Sequence, residues 1–157
     1  MRKRIYTLLL ILVPLFSISL ISCKSNETKT DEKTVNEEVA KPVDNSKGKE
    51  IYETKGMCQT CHQADGKGLA GNYPPLAGSE YLLADKQRAI VQTLKGSSEP
   101  ITVNGVVYPG NIMGAVVANI NLTDDEVVAV VNYILNSWGN NGGNVTIEDV
   151  KKARSIK

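Results

Sequence analysis

Residues 58–62 read CQTCH and hold two of the three cysteines and the only histidine of this 157-residue chain. Whatever this stretch binds, it must bind with little help. Beyond it the chain offers only Cys23 and three methionines, one of them at position 1. Material for a core is equally scarce. After residue 47 there is no phenylalanine, and the aromatic residues are five tyrosines and Trp138. Residues 62–80, HQADGKGLAGNYPPLAGSE, are rich in Gly and Pro and read as a loop. A helical domain of 110 residues made from this sequence is short of large side chains, which leaves its middle to be filled by something other than protein.

The N-terminus reads as an export signal over residues 1–22: Met1-Arg2-Lys3-Arg4 is positive, and Ile5 to Ile21 is mostly apolar. The apolar run is 17 residues, short for a membrane span and interrupted by Pro14, Ser17 and Ser19. It ends in Leu20-Ile21-Ser22-Cys23, which resembles the bacterial lipobox, whose cysteine receives diacylglycerol and becomes the mature N-terminus. The alternative is an uncleaved anchor with an incidental cysteine. Either way the folded part is expected outside the cytoplasm, on the periplasmic or extracytoplasmic face of a membrane.

Removing residues 1–22 takes away three basic and no acidic side chains, leaving 15 Lys+Arg against 17 Asp+Glu. That balance gives no basic surface for nucleic acid. Residues 24–47 carry five Lys, six Asp+Glu and no aromatic residue, too little apolar surface to offset the entropy of folding. Residues 23–47 are therefore expected to be a lipidated cysteine and a flexible tether spanning about 25–30 Å on average. One small domain is expected over residues 48–157.

Within that domain Ile51 and Tyr52 suggest a short helix leading into CQTCH. Asp85 followed by Ala89, Ile90, Val91 and Leu94, with Gly96 as a stop, predicts a helix over about 86–95. Asn104-Gly105 between β-branched runs predicts a two-residue hairpin. Thr123 and Glu126 form a capping box, Leu122 can staple onto Val127, and Val127, Val131, Ile134 and Trp138 recur on one face until Gly139 ends the helix. Thr146 and Asp149 repeat the cap before a last short helix. The class is mostly α.

Zinc needs about four Cys or His ligands in a closed site, and with Cys23 assigned to lipid only Cys58, Cys61 and His62 remain. Disulfide exchange suits an exported Cys-x-x-Cys, but no βαβ pattern stands beside Cys58. The third reading is Cys-x-x-Cys-His as a covalent c-type haem site, with thioether bonds from Cys58 and Cys61 and the iron held by His62. Of the two methionines left after the signal, Met57 adjoins Cys58 and cannot reach the far face of the ring. Met113, 51 positions beyond His62, can. The alternatives are a Met113 that fills a gap in the core, a lysine ligand, or an empty sixth position.

These residues resemble the class I, single-haem c-type cytochromes over residues 48 to about 138. Gly48 and Tyr52 are similar to that family's glycine and aromatic on the N-terminal helix, which crosses the C-terminal helix near an aromatic matching Tyr133. Pro74-Pro75-Leu76 is similar to the loop in which a proline carbonyl accepts the histidine's N–H, which implies Pro74 as acceptor and Leu76 as a haem contact. NGVVYPGNIMG and LTDDEVVAVVNYILNSWGN are closest to the branch that accompanies copper nitrite reductases, terminal oxidases and quinoprotein dehydrogenases. One departure is that Gly114 follows Met113 where that branch usually has proline, which leaves the ligand but loosens its loop.

The resemblance implies a small cytochrome c fold, its helices wrapped around one covalent haem c, with a short β-hairpin. It implies a one-electron carrier, not an enzyme. A respiratory complex or dehydrogenase would be its donor and a terminal oxidase or reductase its acceptor, with the membrane reached through a lipid on Cys23. Near-balanced charge over residues 48–157, 10 basic and 11 acidic, leaves the sign of the docking surface open. The alternatives are a five-coordinate haem enzyme or gas sensor, if Met113 does not bind, and a thiol-disulfide oxidoreductase without haem. The carrier reading predicts a flat apolar slot lined by Leu76, Ile90 and Ile112, with Cys58 and Cys61 at one edge and His62 and Met113 on opposite walls.

Overall fold

The structure, a computed structural model, describes residues 45–110 and 112–156. The expected export signal, Cys23 and the expected tether up to residue 44 lie outside the described residues. Among those described, no helix is long and apolar enough to cross a membrane.

The first helix, α1 (Ser46–Glu53), begins two residues before the boundary expected at 48. It crosses α6 (Asp124–Leu135) so closely that a Cβ on Gly48 would lie 2.2 Å from Ala129 O and 2.6 Å from Tyr133 Cβ. Only glycine allows that approach. Tyr52, fully buried, meets Tyr133 and Trp138 with ring centroids 5.5 and 5.3 Å away. These tilted contacts are of the kind worth about 0.5–1.5 kcal/mol beyond burial.

Both capping boxes form. Thr123 Oγ1 accepts from Glu126 N while Glu126 Oε2 accepts from Thr123 N, and Thr146 and Asp149 repeat this at α7 (Ile147–Ser155). Leu122 and Val127 are both buried in the main cluster. The helix α6 ends at Leu135, earlier than the pattern of apolar residues suggests, because Asn136 leaves helical geometry and Trp138 takes a positive φ of 54°. Trp138 thus belongs to the turn after the helix. The final helix packs on α4 (Lys86–Lys95) and α6, burying Val150 and Ala153.

The hairpin forms as expected: β1 (Ile101–Val103) pairs antiparallel with β2 (Val106–Tyr108) around Asn104-Gly105, both at positive φ. Among the described residues there are three further short helices. They are α2 (Gln59–His62), α3 (Glu80–Leu83), which Ser79 caps, and α5 (Ile112–Val117). The sequence suggests no helix at α3, and α5 occupies what reads as a loop around Met113. The mostly α class holds.

Candidate haem site

One turn of helix explains the spacing of CQTCH. Cys61 N and His62 N both bond to Cys58 O, so residues 58, 61 and 62 stand at i, i+3 and i+4 and share a face. That face lines a mainly apolar cavity of about 1260 Å³, its open mouth included. Pro74, Pro75 and Leu76 form part of its wall, and Ile112, Met113, Val116 and Val117 of α5 form another. The hairpin adds Ile101, Val103 and Tyr108, and the core side adds Leu122 and Ile134.

His62 is 8 % exposed, and its Nδ1 lies 2.9 Å from Pro74 O. A carbonyl only accepts, so Nδ1 carries the proton. Burial pushes the imidazole pKa down, against a smaller upward pull from the Pro74 carbonyl, which keeps the ring neutral. Among the described residues Nε2 has no hydrogen-bond partner, and the ring borders the cavity. A neutral imidazole with an uncommitted lone pair, fixed at its other nitrogen, is what a metal-ligating histidine requires.

Cys58 and Cys61 are both free thiols, half-buried at the cavity's edge. Burial pushes the Cys58 thiol up to about 11. Among the described residues no group of three or more His, Cys, Asp or Glu gathers as a ligand set. No strand precedes Cys58 within the described residues, as a thioredoxin-like redox site would need.

Two glycines let the His62 side close. A Cβ on Gly68, at φ 65°, would sit 2.6 Å from Pro74 O, the acceptor of the His62 bond. On Gly66, at φ 69°, it would strike the Trp138 ring at 2.6 Å. Trp138 Nε1 donates to Ala64 O at 3.0 Å, and Tyr52 OH donates to Gln63 O at 2.7 Å. Sequence reasoning marks these glycines only as loop formers, because close approach depends on partners distant in the chain.

The expected slot differs in one residue. Ile90 is fully buried in the core cluster and does not border the cavity. Ala89, Gln92 and Thr93, on the adjacent i, i+3, i+4 stripe of α4, face it instead. The loosening expected at Gly114 meets a counterpart in packing: a Cβ on Gly96 would lie 2.2 Å from Gly114 N, so the end of α4 abuts the backbone of α5.

A deep apolar cleft bordered by two thiols, a fixed imidazole and a thioether fits a covalent haem. The cytochrome c family model matches residues 46–138. The chain belongs to the cytochrome c family. Its cofactor is haem c. A cytochrome c-552 of Thermus thermophilus is 35% identical over 119 residues, covering 70% of this chain and 86% of the relative. The cytochrome c subunit of a quinone-type alcohol dehydrogenase from Gluconobacter oxydans is 31% identical over 113 residues, covering 69% of this chain but only 22% of the subunit. The fructose dehydrogenase cytochrome subunit of Gluconobacter japonicus is 29% identical over 110 residues, with 22% of its length matched.

Proposed function

We propose that this cytochrome is a membrane-tethered one-electron carrier in which Cys58 and Cys61 would hold the haem by thioether bonds and His62 and Met113 would both ligate its iron. One observation carries the reading: His62 and Met113, from separate elements, border the same cavity. Haem c bound there supplies a one-electron Fe(II)/Fe(III) couple, and a His/Met pair raises its potential. Were His62 and Met113 both to hold the iron, no site on it would be left for a substrate. Pro74 O fixes the His62 ring and raises its basicity, while Leu76 and the α5 side chains give the cleft an apolar lining.

Relatives named as cytochrome subunits of dehydrogenases support a dehydrogenase as donor; a respiratory complex in that place, and a terminal oxidase or reductase as acceptor, belong to the same proposal. The lipobox-like Leu20-Ile21-Ser22-Cys23 supports export and a lipid on Cys23. Two lipid chains suffice for stable anchoring, so Cys23→Ser should release the haem protein from membranes. A variant still pelleting with membranes would favour an uncleaved anchor.

The carrier reading predicts a protein that keeps its haem through denaturing electrophoresis and titrates reversibly as a one-electron couple. A colourless protein with a two-electron thiol couple would replace it with a thiol-disulfide oxidoreductase.

A further inference from the structure

Asn140 stands five residues beyond α6 and does not border the cavity, yet its side chain grips the backbone of the His62 wall. It is 8 % exposed and makes three hydrogen bonds, all to main chain. Its Nδ2 donates to Leu76 O at 3.0 Å and to Ile134 O at 2.9 Å, and its Oδ1 accepts from Gly78 N at 2.9 Å. Ile134 lies in the last turn of α6, whose carbonyls lack intrahelical partners, so one carboxamide finishes the helix and ties the loop to it.

The loop needs such a tie because of what it lacks. Pro74 and Pro75 carry no N–H, so this dipeptide donates no main-chain bond of its own. Where the Pro74 carbonyl sits is decided by its neighbours. Upstream, Leu69 and Tyr73 exchange backbone bonds of 2.9 and 2.8 Å. Downstream, Leu76 N and Ala77 N donate to Gly66 O at 2.7 and 3.0 Å, and Asn140 holds the Leu76 carbonyl and the Gly78 amide.

We propose that Asn140 is a positioning residue for His62: by fixing Leu76–Gly78 it keeps the Pro74 carbonyl on Nδ1 of the imidazole, and so tunes the ligand. The proposal rests on His62 as an iron ligand, and it lies just outside the family match, which ends at residue 138. Asn132 provides a matched control. It is 6 % exposed and likewise bonds only to main chain, to Val145 N at 2.7 Å and Val145 O at 3.3 Å, but it reaches the C-terminal segment and not the loop.

The test compares Asn140→Ala, Asn140→Asp and Asn132→Ala in the haem-loaded protein. Asp keeps the acceptor for Gly78 N and loses both donors. The readouts are the denaturation midpoint, the reduction potential and solvent exchange of the His62 Nδ1 proton by NMR. Both Asn140 variants should exchange that proton about tenfold faster or more, as local opening of the loop becomes easier. The potential of Asn140→Ala, which changes no charge, should rise, because a weaker bond to Pro74 makes a less basic ligand that stabilises Fe(III) less. Asn132→Ala should lose stability with potential and exchange unchanged. Asn140 variants that lose stability but keep wild-type potential and exchange would overturn the proposal. Should neither variant retain haem, the wild-type protein decides: Gly78 N–H and His62 Nδ1–H exchanging through one common opening supports it, and Nδ1–H exchanging while Gly78 stays protected overturns it. A wild-type His62 ring without iron-shifted signals would overturn the ligand assignment itself, and the proposal with it.

Discussion

The two walls of the haem cleft are held by different physics. On the His62 side, hydrogen bonds converge on a loop with four glycines at positive φ, Gly66, Gly68, Gly71 and Gly78: Nδ1 donates to Pro74 O, Leu76 N and Ala77 N to Gly66 O, Trp138 Nε1 to Ala64 O, Asn140 Nδ2 to Leu76 O, and Gly78 N to Asn140 Oδ1. On the Met113 side, the hydrogen bonds of α5 and the residues after it stay within residues 110–120, and α4 meets α5 through the close backbone approach at Gly96. The first wall fixes the His62 ring through bonds from several distant segments. The second is held by local bonds and by the approach of Gly96 to Gly114. The difference assigns distinct consequences to damage on each side.

Breaking the ligands gives the largest effect. His62→Ala should abolish a normal low-spin spectrum, whereas Met113→Ala should keep covalent haem and open a site for external ligands. An unchanged spectrum and potential in Met113→Ala would remove Met113 from the assignment. Next come the glycines. Gly68→Ala should cost about 2–4 kcal/mol in denaturant unfolding of the haem protein, since it adds both a positive-φ penalty and a clash with the Pro74 carbonyl. Gly71→Ala, at φ 77° with open space around it, isolates the conformational penalty alone at about 1 kcal/mol. On the other wall Gly114→Ala would bring a Cβ only to 3.3 Å from Lys95 O and should cost less than Gly68→Ala. Equal losses at 68 and 114 would dissolve the contrast between the walls.

Trp138→Phe sharpens the comparison at a smaller scale. It removes the bond to Ala64 O while keeping an aromatic ring against Gly66, and should cost about 1 kcal/mol in the same unfolding assay. The smallest effect concerns neither wall. Glu126, bonded to Lys55 and the Thr123 amide, and Asp149, bonded to Thr146, both have carboxyl pKa values held below the ordinary range. A depressed folded-state pKa contributes stability that is present above the unfolded value and is lost as pH falls through the folded one. Part of the acid sensitivity between about pH 5 and 3 should therefore disappear in Glu126→Gln. An acid-unfolding curve merely displaced, with its slope intact, would assign that sensitivity elsewhere.

Much of this was legible in the sequence, for identifiable reasons. The caps at Thr123 and Thr146, the Asn104-Gly105 turn and the helix from residue 86 are set by neighbours within four positions, and each forms. CQTCH is legible because its three functional residues share one helical turn. What was not legible depends on distant partners. The early end of α6 places Trp138 in a turn, where it stacks on Gly66, 72 positions away. Ile90 and Ala89 are adjacent on α4, and only the helix's rotation in the fold decides which faces the cleft. Asn140 carries no local signal, since its partners are Leu76, Gly78 and a helix end. The short helix at Met113 arises where the sequence shows Gly and Pro.

The central claim is a haem whose two axial positions are both filled by the chain, His62 from the rigid wall and Met113 from the pliable one. The absorption spectrum of the ferrous protein with and without carbon monoxide tests it most directly. The account predicts a low-spin spectrum that carbon monoxide leaves unchanged in the wild type and shifts in Met113→Ala. A wild-type spectrum that is high-spin, or that shifts at once on adding carbon monoxide, would contradict it and make this a five-coordinate haem protein.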